Sequence, residues 1–147
     1  MKIKIIGVGK IKQKAILELL NDYLKQMKDV SIVEINDEKD SLGMDKEGEN
    51  ILSKISLDEY VIALAIEGEM MSSEVFASTL DKIVTFQSPN VCFIIGGSWG
   101  LSSKVKKRAN LLVSFSKMTF PHQLMRLILV EQIYRAKAIL RKHPYHK

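Results

Sequence analysis

Three short segments of the sequence carry residue types that could form a ligand pocket. Each follows an apolar run of strand length: LAIEGE at 64–69, IIGGSWG at 94–100 and SFSKMTFPH at 114–122. In an open parallel sheet, ligands bind outside the carboxyl ends of the strands. Glycines in the first two segments let a ligand approach the backbone, and the third segment ends at a predicted helix N-terminus. The residue types alone leave two interpretations open, ordinary strand-to-helix turns or a pocket.

The positive charge of the chain is concentrated in its last third. Residues 101–147 hold eleven lysines and arginines but a single acid, Glu131, and they also contain all three histidines. Residues 1–100 hold eleven basic and sixteen acidic residues, so the net charge of the whole chain is only +5. A concentrated basic surface is typical of proteins that bind a polyanion, and a solvated face without a partner is the alternative.

Several familiar sites are not predicted. GVGKIK at 7–12 begins like a dinucleotide-binding loop but lacks the third glycine, and Lys10 comes too early for a phosphate-binding loop. The single cysteine, Cys92, lies in an apolar run and is expected to pack in the core, so we expect no metal site. No apolar run reaches the ~20 residues of a membrane span, and the N-terminal lysines argue against a signal peptide. The cytoplasm is the expected location.

Alternating strand and helix patterns predict the framework that positions these segments. We expect residues 1–147 to form one domain of the α/β class, with a mostly parallel sheet flanked by helices. The polar stretch 36–50 is predicted to be a mobile loop. Strands are predicted at Lys2–Val8, Val30–Ile35, Tyr60–Ile66, Val91–Ile95 and Leu111–Phe115, and helices at Lys12–Met27, Glu49–Ile55, 72–86, Ser102–Arg108 and Pro121–Lys142.

Sequence elements spread along the chain together resemble one family. They are IKIIGVGK, IIGGSWGLS, TFPHQLMRLILVEQIYRA and the terminal HPYHK. In this order they resemble the SPOUT-class methyltransferases that methylate N3 of a pseudouridine in large-subunit (23S) ribosomal RNA. The resemblance covers the whole chain. It implies a SPOUT-type fold with a C-terminal trefoil knot, a homodimer, S-adenosyl-L-methionine as the methyl donor and assembled ribosomes as the substrate.

The same resemblance implies positions for the catalytic groups and the cofactor. The tail HPYHK would reach the cofactor region of the partner subunit. Removal of the N3 proton, or stabilisation of the charge that it leaves, would fall to His122, Arg126, Tyr145, His146 or Lys147. The cofactor would lie against three loops, formed by Leu64 and Ala65, by Ile95, Gly96, Gly97 and Gly100, and by Ser116, Lys117, Met118, Thr119, Phe120 and Pro121.

The glycine turn leads to two further expectations. Cβ atoms at Gly96 and Gly97 would occupy space that the ligand needs. Trp99 either lines the mouth of the pocket or packs, and packing at the dimer contact is the preferred interpretation. The chain departs from the family pattern at Gln123, where proline is expected, and at Lys147, where arginine is common.

The resemblance also assigns the basic residues of the last third to RNA phosphates, which predicts binding that weakens steeply with salt. The predicted helix from Pro121 supports a homodimer independently, because it is apolar on more than one face and one small sheet covers only one side. The RNA-binding candidates are Lys104, Lys106, Lys107, Arg108, Arg135, Lys137, Arg141, Lys142 and Lys147.

Two other functions remain open from the sequence. One is a non-catalytic ribosome- or RNA-binding factor of the same fold, although the glycine turn and the tail argue against it. The other is an oxidoreductase of the Rossmann type, which the missing third glycine of GVGK disfavours. Calorimetry with S-adenosylmethionine and with NADH would separate these functions from a methyltransferase.

Overall fold

Strands and helices alternate along the chain, as the apolar patterns predict. The computed structural model describes residues 1–40 and 42–147. The strands are β1 (Lys2–Val8), β2 (Val30–Ile35), β3 (Tyr60–Met70), β4 (Asn90–Ile95) and β5 (Leu111–Ser114). The helices are α1 (Lys14–Leu24), α2 (Gly43–Ser53), α3 (Ser73–Phe86), α4 (Ser103–Arg108) and α5 (His122–Leu140).

The five strands form one parallel sheet in the order β2-β1-β4-β3-β5. The middle strand β4 is buried from Val91 to Ile95, as expected for a continuous apolar run that is covered on both faces. The prediction of an α/β fold with a parallel sheet flanked by helices is therefore confirmed. The C-terminal trefoil knot stays a prediction.

Helices cover both faces of the sheet. On one face α1, α3 and α5 pack through residues such as Leu20, Leu80 and Ile133 against Ile5 and Phe93. The shorter helices α2 and α4 cover the other face. All five strands run in the same direction, so their carboxyl ends meet at one edge of the sheet, where the three glycine-rich or polar segments lie together.

The segment before β3 differs from the sequence prediction. The mobile loop expected over 36–50 is replaced from Gly43 onward by the first turns of α2, and Ser41 lies outside the described residues. The sequence pattern did not predict the first turns of this helix, because it contains Gly43 and Gly48 and glycine has a low helix propensity. Both glycines are buried, and a Cβ on Gly48 would lie 2.4 Å from the Ser102 hydroxyl. Close packing against α4 therefore requires a residue without a side chain.

Helix α5 ends slightly earlier than predicted. Its predicted end is Lys142, but the helix ends at Leu140, and Lys142 adopts a left-handed conformation with φ 57°. The Lys142 N–H donates to the carbonyl of Ile139, and the His143 N–H donates to that of Ala138. This is the Schellman pattern of helix termination. It turns the tail back along α5.

Candidate functional site

A cavity of about 610 Å³ opens at the carboxyl edge of the sheet. Its walls come from the ends of β3, β4 and β5 and from the first turn of α5. A volume of this size is typical of sites for small molecules. Of the twelve residues predicted to bind a cofactor, eleven line it: Leu64, Ala65, Ile95, Gly96, Gly97, Gly100, Ser116, Met118, Thr119, Phe120 and Pro121. Lys117 is exposed and lies outside the lining.

One wall of the cavity is a bulge in β3. Leu64 and Glu69 both pair with Val113 of β5, so the residues between them leave the regular ladder. A Cβ on Gly68 would lie 2.7 Å from the β5 backbone, so this position requires glycine. Because of the bulge, Ala65, Ile66 and Glu67 line the cavity. The sequence prediction ended the strand at Ile66 and therefore missed this shape.

The glycine turn is required by packing within the protein. A Cβ on Gly97 would lie 2.8 Å from Cγ1 of Val8, and a Cβ on Gly96 would lie 3.0 Å from Leu101 Cδ2. Packing within the chain therefore already requires both glycines, and the expectation that their Cβ atoms would occupy ligand space stays a prediction. Gly100 differs, because it has φ 77° and no atom lies within 4 Å of its Cβ position. Its N–H donates to the Gly97 carbonyl at 3.0 Å and closes the turn.

Substitution of Gly97 by alanine is expected to destabilise the protein. The added methyl group must displace the fully buried Val8, and overpacking of this kind costs about 1–3 kcal/mol. At about 2–4 °C per kcal/mol for a domain near this size, Tm should fall by roughly 2–12 °C. Thermal unfolding by circular dichroism measures the change. Ser98→Ala serves as the control, since Ser98 is exposed in the same turn, and an unchanged Tm for Gly97→Ala would contradict the packing argument.

Trp99 packs within its own chain rather than in the cavity. Its indole N–H donates to the carbonyl oxygen of Glu38 at 2.7 Å, and the side chain is 40% exposed. A Cβ on Gly43 would lie 2.7 Å from the same indole nitrogen. Trp99 therefore ties the glycine turn to the start of α2. This contact agrees with the preference for packing, although the dimer contact itself remains a prediction.

Glu47 is a buried carboxylic acid beneath the glycine turn that the sequence analysis missed. It is 1% exposed, and its Oε2 accepts a hydrogen bond from the Glu38 N–H at 2.8 Å. Its Oε1 lies 3.5 Å from the Cβ position of Gly97 and has no hydrogen-bond partner in the described part of the chain. Burial, together with the nearby Asp37 carboxylate, raises the pKa of Glu47, while the Glu38 N–H opposes that shift.

Glu47 should make folding stability depend on pH. Because its folded pKa lies above the ordinary 4.5, the folded state keeps a proton that the unfolded state releases. Stability is therefore lost as pH rises from 4.5 through the folded pKa. Glu47→Gln removes this penalty and keeps an acceptor for the Glu38 N–H. We expect equal Tm values at pH 4 and a higher Tm of the variant at pH 7. A constant difference at both pH values would contradict this account.

His122 is the one predicted catalytic residue that the structure places in the cavity wall. It is half-buried at the first position of α5, immediately after the N-cap residue Pro121. Its Nε2 lies 3.5 Å from the Cβ position of Gly9, so the imidazole also borders the end of β1. The neighbouring Gln123 accepts a hydrogen bond from the Lys12 N–H at 2.8 Å. This gives a structural role to a position that departs from the family pattern.

Arg126 has a structural environment and lies outside the cavity lining. It is 1% exposed and forms an ion pair with Glu34 at 2.7 Å. The guanidinium also donates to the carbonyl oxygen of Gly9 at 2.9 Å and to that of Val8 at 3.4 Å. Its geometry therefore does not fit the catalytic role that we expected. The sequence contained one sign of this packing, a glycine inside a strand, which often marks the close approach of another group. A Cβ on Gly7 would lie 2.6 Å from the guanidinium of Arg126.

The tail at 143–147 docks on its own chain, outside the cavity. The Tyr145 hydroxyl donates to Glu131 at 3.0 Å and shares a hydrogen bond with the Tyr23 hydroxyl at 3.1 Å. The rings of Tyr145 and Tyr134 pack edge to face with their centroids 4.8 Å apart. The Arg135 guanidinium lies 4.9 Å from the centroid of the Tyr145 ring. The hydrogen bond with Tyr23, burial and Glu131 raise the pKa of Tyr145. Docked in this way, the Tyr145 hydroxyl binds Glu131 and Tyr23 and does not line the cavity of its own chain.

His146 has both ring nitrogens engaged in the same cluster. Arg135 donates to Nδ1 at 3.0 Å, since a guanidinium can only donate. Nε2 therefore carries the proton and donates to Glu74 at 2.8 Å. Glu131, the single acid of the last third, binds the Arg135 guanidinium through one oxygen at 2.6 and 2.9 Å. The docked tail thus offers no free base to its own cavity.

The predicted RNA-binding residues fall into two groups. Residues of the first group bind other residues of the same chain. Lys106 forms an ion pair with Glu67 at 2.6 Å in the cavity wall. This hydrogen-bonded pair lowers the pKa of Glu67. Arg108 donates to the carbonyls of Ser56 and Glu59, so it links α4 to the loop between α2 and β3. Lys104, Arg135 and Lys137 bind Glu49, Glu131 and Asp29, respectively. The second group is exposed: Lys107, Arg141, Lys142 and Lys147.

Residues 1–40 and 42–147 contain neither a cluster of metal-ligating side chains nor a helix of membrane-spanning character. No group of three or more histidine, cysteine, aspartate or glutamate side chains among them could hold a metal ion. Among these residues, too, no helix combines the length and apolar character that a membrane span requires.

The site and fold define a class of protein, an α/β protein with a small-molecule pocket at the carboxyl edge of a parallel sheet. A family model described as Predicted SPOUT methyltransferase matches residues 1–146. The chain is 63% identical to ribosomal RNA large subunit methyltransferase H from Acholeplasma laidlawii over 147 residues, with 100% of both chains covered. Proteins of the same name from Bacillus pumilus and Listeria monocytogenes are 52% and 51% identical over 159 aligned positions, again with complete coverage. The chain therefore belongs to the SPOUT methyltransferase family.

Proposed function

We propose that this chain is an S-adenosylmethionine-dependent methyltransferase of large-subunit ribosomal RNA. Its substrate would be N3 of a pseudouridine in assembled ribosomes, and its place of action would be the cytoplasm. The observation that carries the proposal is the cavity built from three strand ends, which gathers eleven of the twelve residues expected around a cofactor. The name of the curated relatives, ribosomal RNA large subunit methyltransferase H, supports the RNA as substrate.

The residues around the cavity fit S-adenosylmethionine. Apolar walls from Leu64, Ile95 and Phe120 suit the faces of an adenine ring, and the open side of Gly100 leaves its backbone accessible for hydrogen bonds to the ring edge. Ser116, Thr119 and Glu67 add polar groups at the wall. When bound, the cofactor supplies an activated methyl group on a sulfonium centre.

The residues of the chain would have to position the base and accept its N3 proton. His122 is suited to this task because its half-buried imidazole lies in the cavity wall, within reach of a bound base. Met118, Phe115 and Phe120 would exclude water from the reacting atoms, and alignment of N3 with the methyl group is the larger task. Arg126 would support the end of β1 from beneath and would not touch the substrate.

A homodimer is part of the proposal. Helices α1 and α5 lie side by side, and each exposes leucine side chains, including Leu19 at 52% and Leu124 at 37%. Leu17 and Leu140 add to this apolar surface. A second copy packed on it would bring its tail close to this cavity, which the docked tail of the same chain does not line.

The proposed function is tested with ribosomes from a strain that lacks the gene for this protein. Purified protein is incubated with them and with S-adenosylmethionine that carries a radioactive methyl group. We expect label in large-subunit RNA, and mass spectrometry should place it on N3 of one pseudouridine. Binding of S-adenosylmethionine by calorimetry without any methyl transfer would instead support a non-catalytic factor, and binding of NADH would support an oxidoreductase.

A further inference from the structure

The loop after β1 presents lysines that the proposed function does not assign. It runs from Gly9 to Gln13 at the carboxyl edge of the sheet. The Cβ position of Gly9 lies 3.5 Å from Nε2 of His122, which lines the cavity. The Lys12 N–H is held by Gln123 at 2.8 Å. The hydrogen bond between Lys12 and Gln123 therefore holds this loop against the first turn of α5, and Gly9 lies close to His122 beside the cavity.

Lys10 and Lys12, which we name the rim lysines, are both exposed. Neither forms an ion pair with any residue in the described parts of the chain, whereas Lys104 and Lys106 of α4 are paired with acids. Asp37 lies beside the start of the loop, with its Oδ2 3.9 Å from the Cβ position of Gly9. Positive charge that is available to a partner therefore lies beside the cavity.

We propose that the rim lysines bind the RNA phosphates that flank the target nucleotide. This inference rests on the proposed function. An enzyme that acts on a base inside folded RNA must bring that base out of the stack and into its pocket. The sugar and the flanking phosphates then stay at the mouth of the pocket, where the rim lysines lie. Phosphate contacts of this kind fix the position of the RNA without reading its sequence.

The spacing of the rim lysines suits one nucleic-acid strand. Two residues of extended chain span about 7 Å. This length is close to two steps of about 3.4 Å, the axial spacing of charges along one strand. The two ammonium groups can therefore contact phosphates that lie two steps apart on the same strand. The loop has no exposed apolar side chain that would favour a protein surface instead, because Ile11 packs against the core.

The test compares two charge reversals of equal size. Lys10→Glu/Lys12→Glu removes the rim lysines. Lys25→Glu/Lys28→Glu is the matched control, because Lys28 lies in a cleft with Lys2 and Asn90 at the amino ends of β1 and β4, the opposite edge of the sheet. Both pairs are exposed, so both variants should fold, which circular dichroism verifies. A third variant, Lys10→Arg/Lys12→Arg, keeps the charge.

We expect the rim reversal to raise the KM for ribosomes from the gene-deletion strain at least tenfold relative to the control reversal. Its affinity for S-adenosylmethionine should stay unchanged, and the arginine variant should behave like the wild type. Loss of two phosphate contacts should also reduce the slope of log affinity against log salt by about 1.4–1.8.

Different results separate this inference from the proposed function. If the wild type methylates ribosomes and the rim reversal matches the control reversal, the rim lysines do not bind RNA and only this inference fails. A raised KM with an unchanged salt slope would indicate a contact with ribosomal protein and would also overturn it. If the wild type transfers no methyl group, the proposed function itself fails.

Discussion

Deletion of His143–Lys147 is expected to lower methyl transfer by about 10²–10⁴-fold without loss of cofactor affinity. The tail supplies Tyr145 and His146, two of the polar side chains that the family resemblance assigns to the reaction. Loss of acid–base and positioning groups of this kind typically costs 10²–10⁴ in rate. The cavity should still bind S-adenosylmethionine, because no residue of the tail lines it. Single-turnover transfer and calorimetry measure the two quantities separately.

The folded state should survive this deletion. The tail docks through the Tyr145 ring and a few hydrogen bonds at the surface, and the ion pair between Arg135 and Glu131 does not depend on it. Removal of Lys147 alone shows how much of the loss is due to this exposed residue, which makes no hydrogen bond or ion pair with a described residue, and how much to Tyr145 and His146. Tyr145→Phe retains the edge contact with Tyr134 and removes only the hydroxyl, so it separates packing from polar chemistry.

A mixture of two inactive chains tests whether the tail acts across the dimer. One chain lacks the tail, and the other carries Ala65→Trp, which is designed to fill the cavity with an indole ring. Gly97→Val is unsuitable for this purpose because its side chain would collide with Val8. A heterodimer then combines one open cavity with one intact tail from the partner. Activity should return in the mixture if the tail works in trans.

The controls decide how this mixture is interpreted. Ala65→Ser should bind the cofactor, whereas Ala65→Trp should not. Affinity tags on the two chains show whether heterodimers form. If heterodimers are present and methyl transfer is not restored, the tail serves the cavity of its own chain. In that case it must first leave the cluster in which Glu131, Arg135 and Glu74 hold it.

The sequence predicted the strands and the pocket walls well, because these depend on local patterns. Continuous apolar runs defined the parallel strands, and glycine or polar residues directly after them marked the cavity. Glu47 was missed because α2 contains Gly43 and Gly48, which the local pattern treats as loop residues, while packing against Trp99 and Ser102 requires them.

Side-chain partners were the least predictable feature. The run of basic residues in the last third suggested one RNA surface, but Arg135 binds the only acid of that segment, and Lys106 and Lys137 bind acids far away in the sequence. The turn at Lys142 was missed for a similar reason, since it places a non-glycine residue in the left-handed region. Charge and composition define the polarity of a segment but not which groups the fold brings within hydrogen-bond distance.

Arg126→Met is expected to lower the free energy of unfolding by about 3 kcal/mol, because two backbone carbonyls lose their donor and each buried acceptor left unsatisfied costs about 1–3 kcal/mol. The substitution removes the ion pair with Glu34 and leaves the buried carbonyls of Val8 and Gly9 without their donor. A drop in Tm of roughly 6–12 °C follows for a domain near this size. Thermal and urea unfolding measure both quantities.

Two further variants locate the origin of this loss. Glu34→Gln should cost less than Arg126→Met, because the Glu34 side chain is 42% exposed and the guanidinium keeps its carbonyl acceptors. Gly7→Ala leaves Arg126 in the sequence but places a methyl group 2.6 Å from the guanidinium. Since the buried arginine has little room to move, Gly7→Ala should destabilise the protein nearly as much as Arg126→Met.

Activity measured well below the transition temperature distinguishes a structural arginine from a catalytic one. With Arg126 beneath the end of β1 and outside the cavity lining, folded Arg126→Met should retain its affinity for S-adenosylmethionine and a kcat within about threefold of the wild type. His122→Ala provides the contrast, because His122 lies in the cavity wall and its loss should reduce kcat by about a hundredfold or more with little change in Tm. An Arg126→Met protein with an unchanged Tm and a hundredfold lower kcat would restore the catalytic role that the resemblance implied.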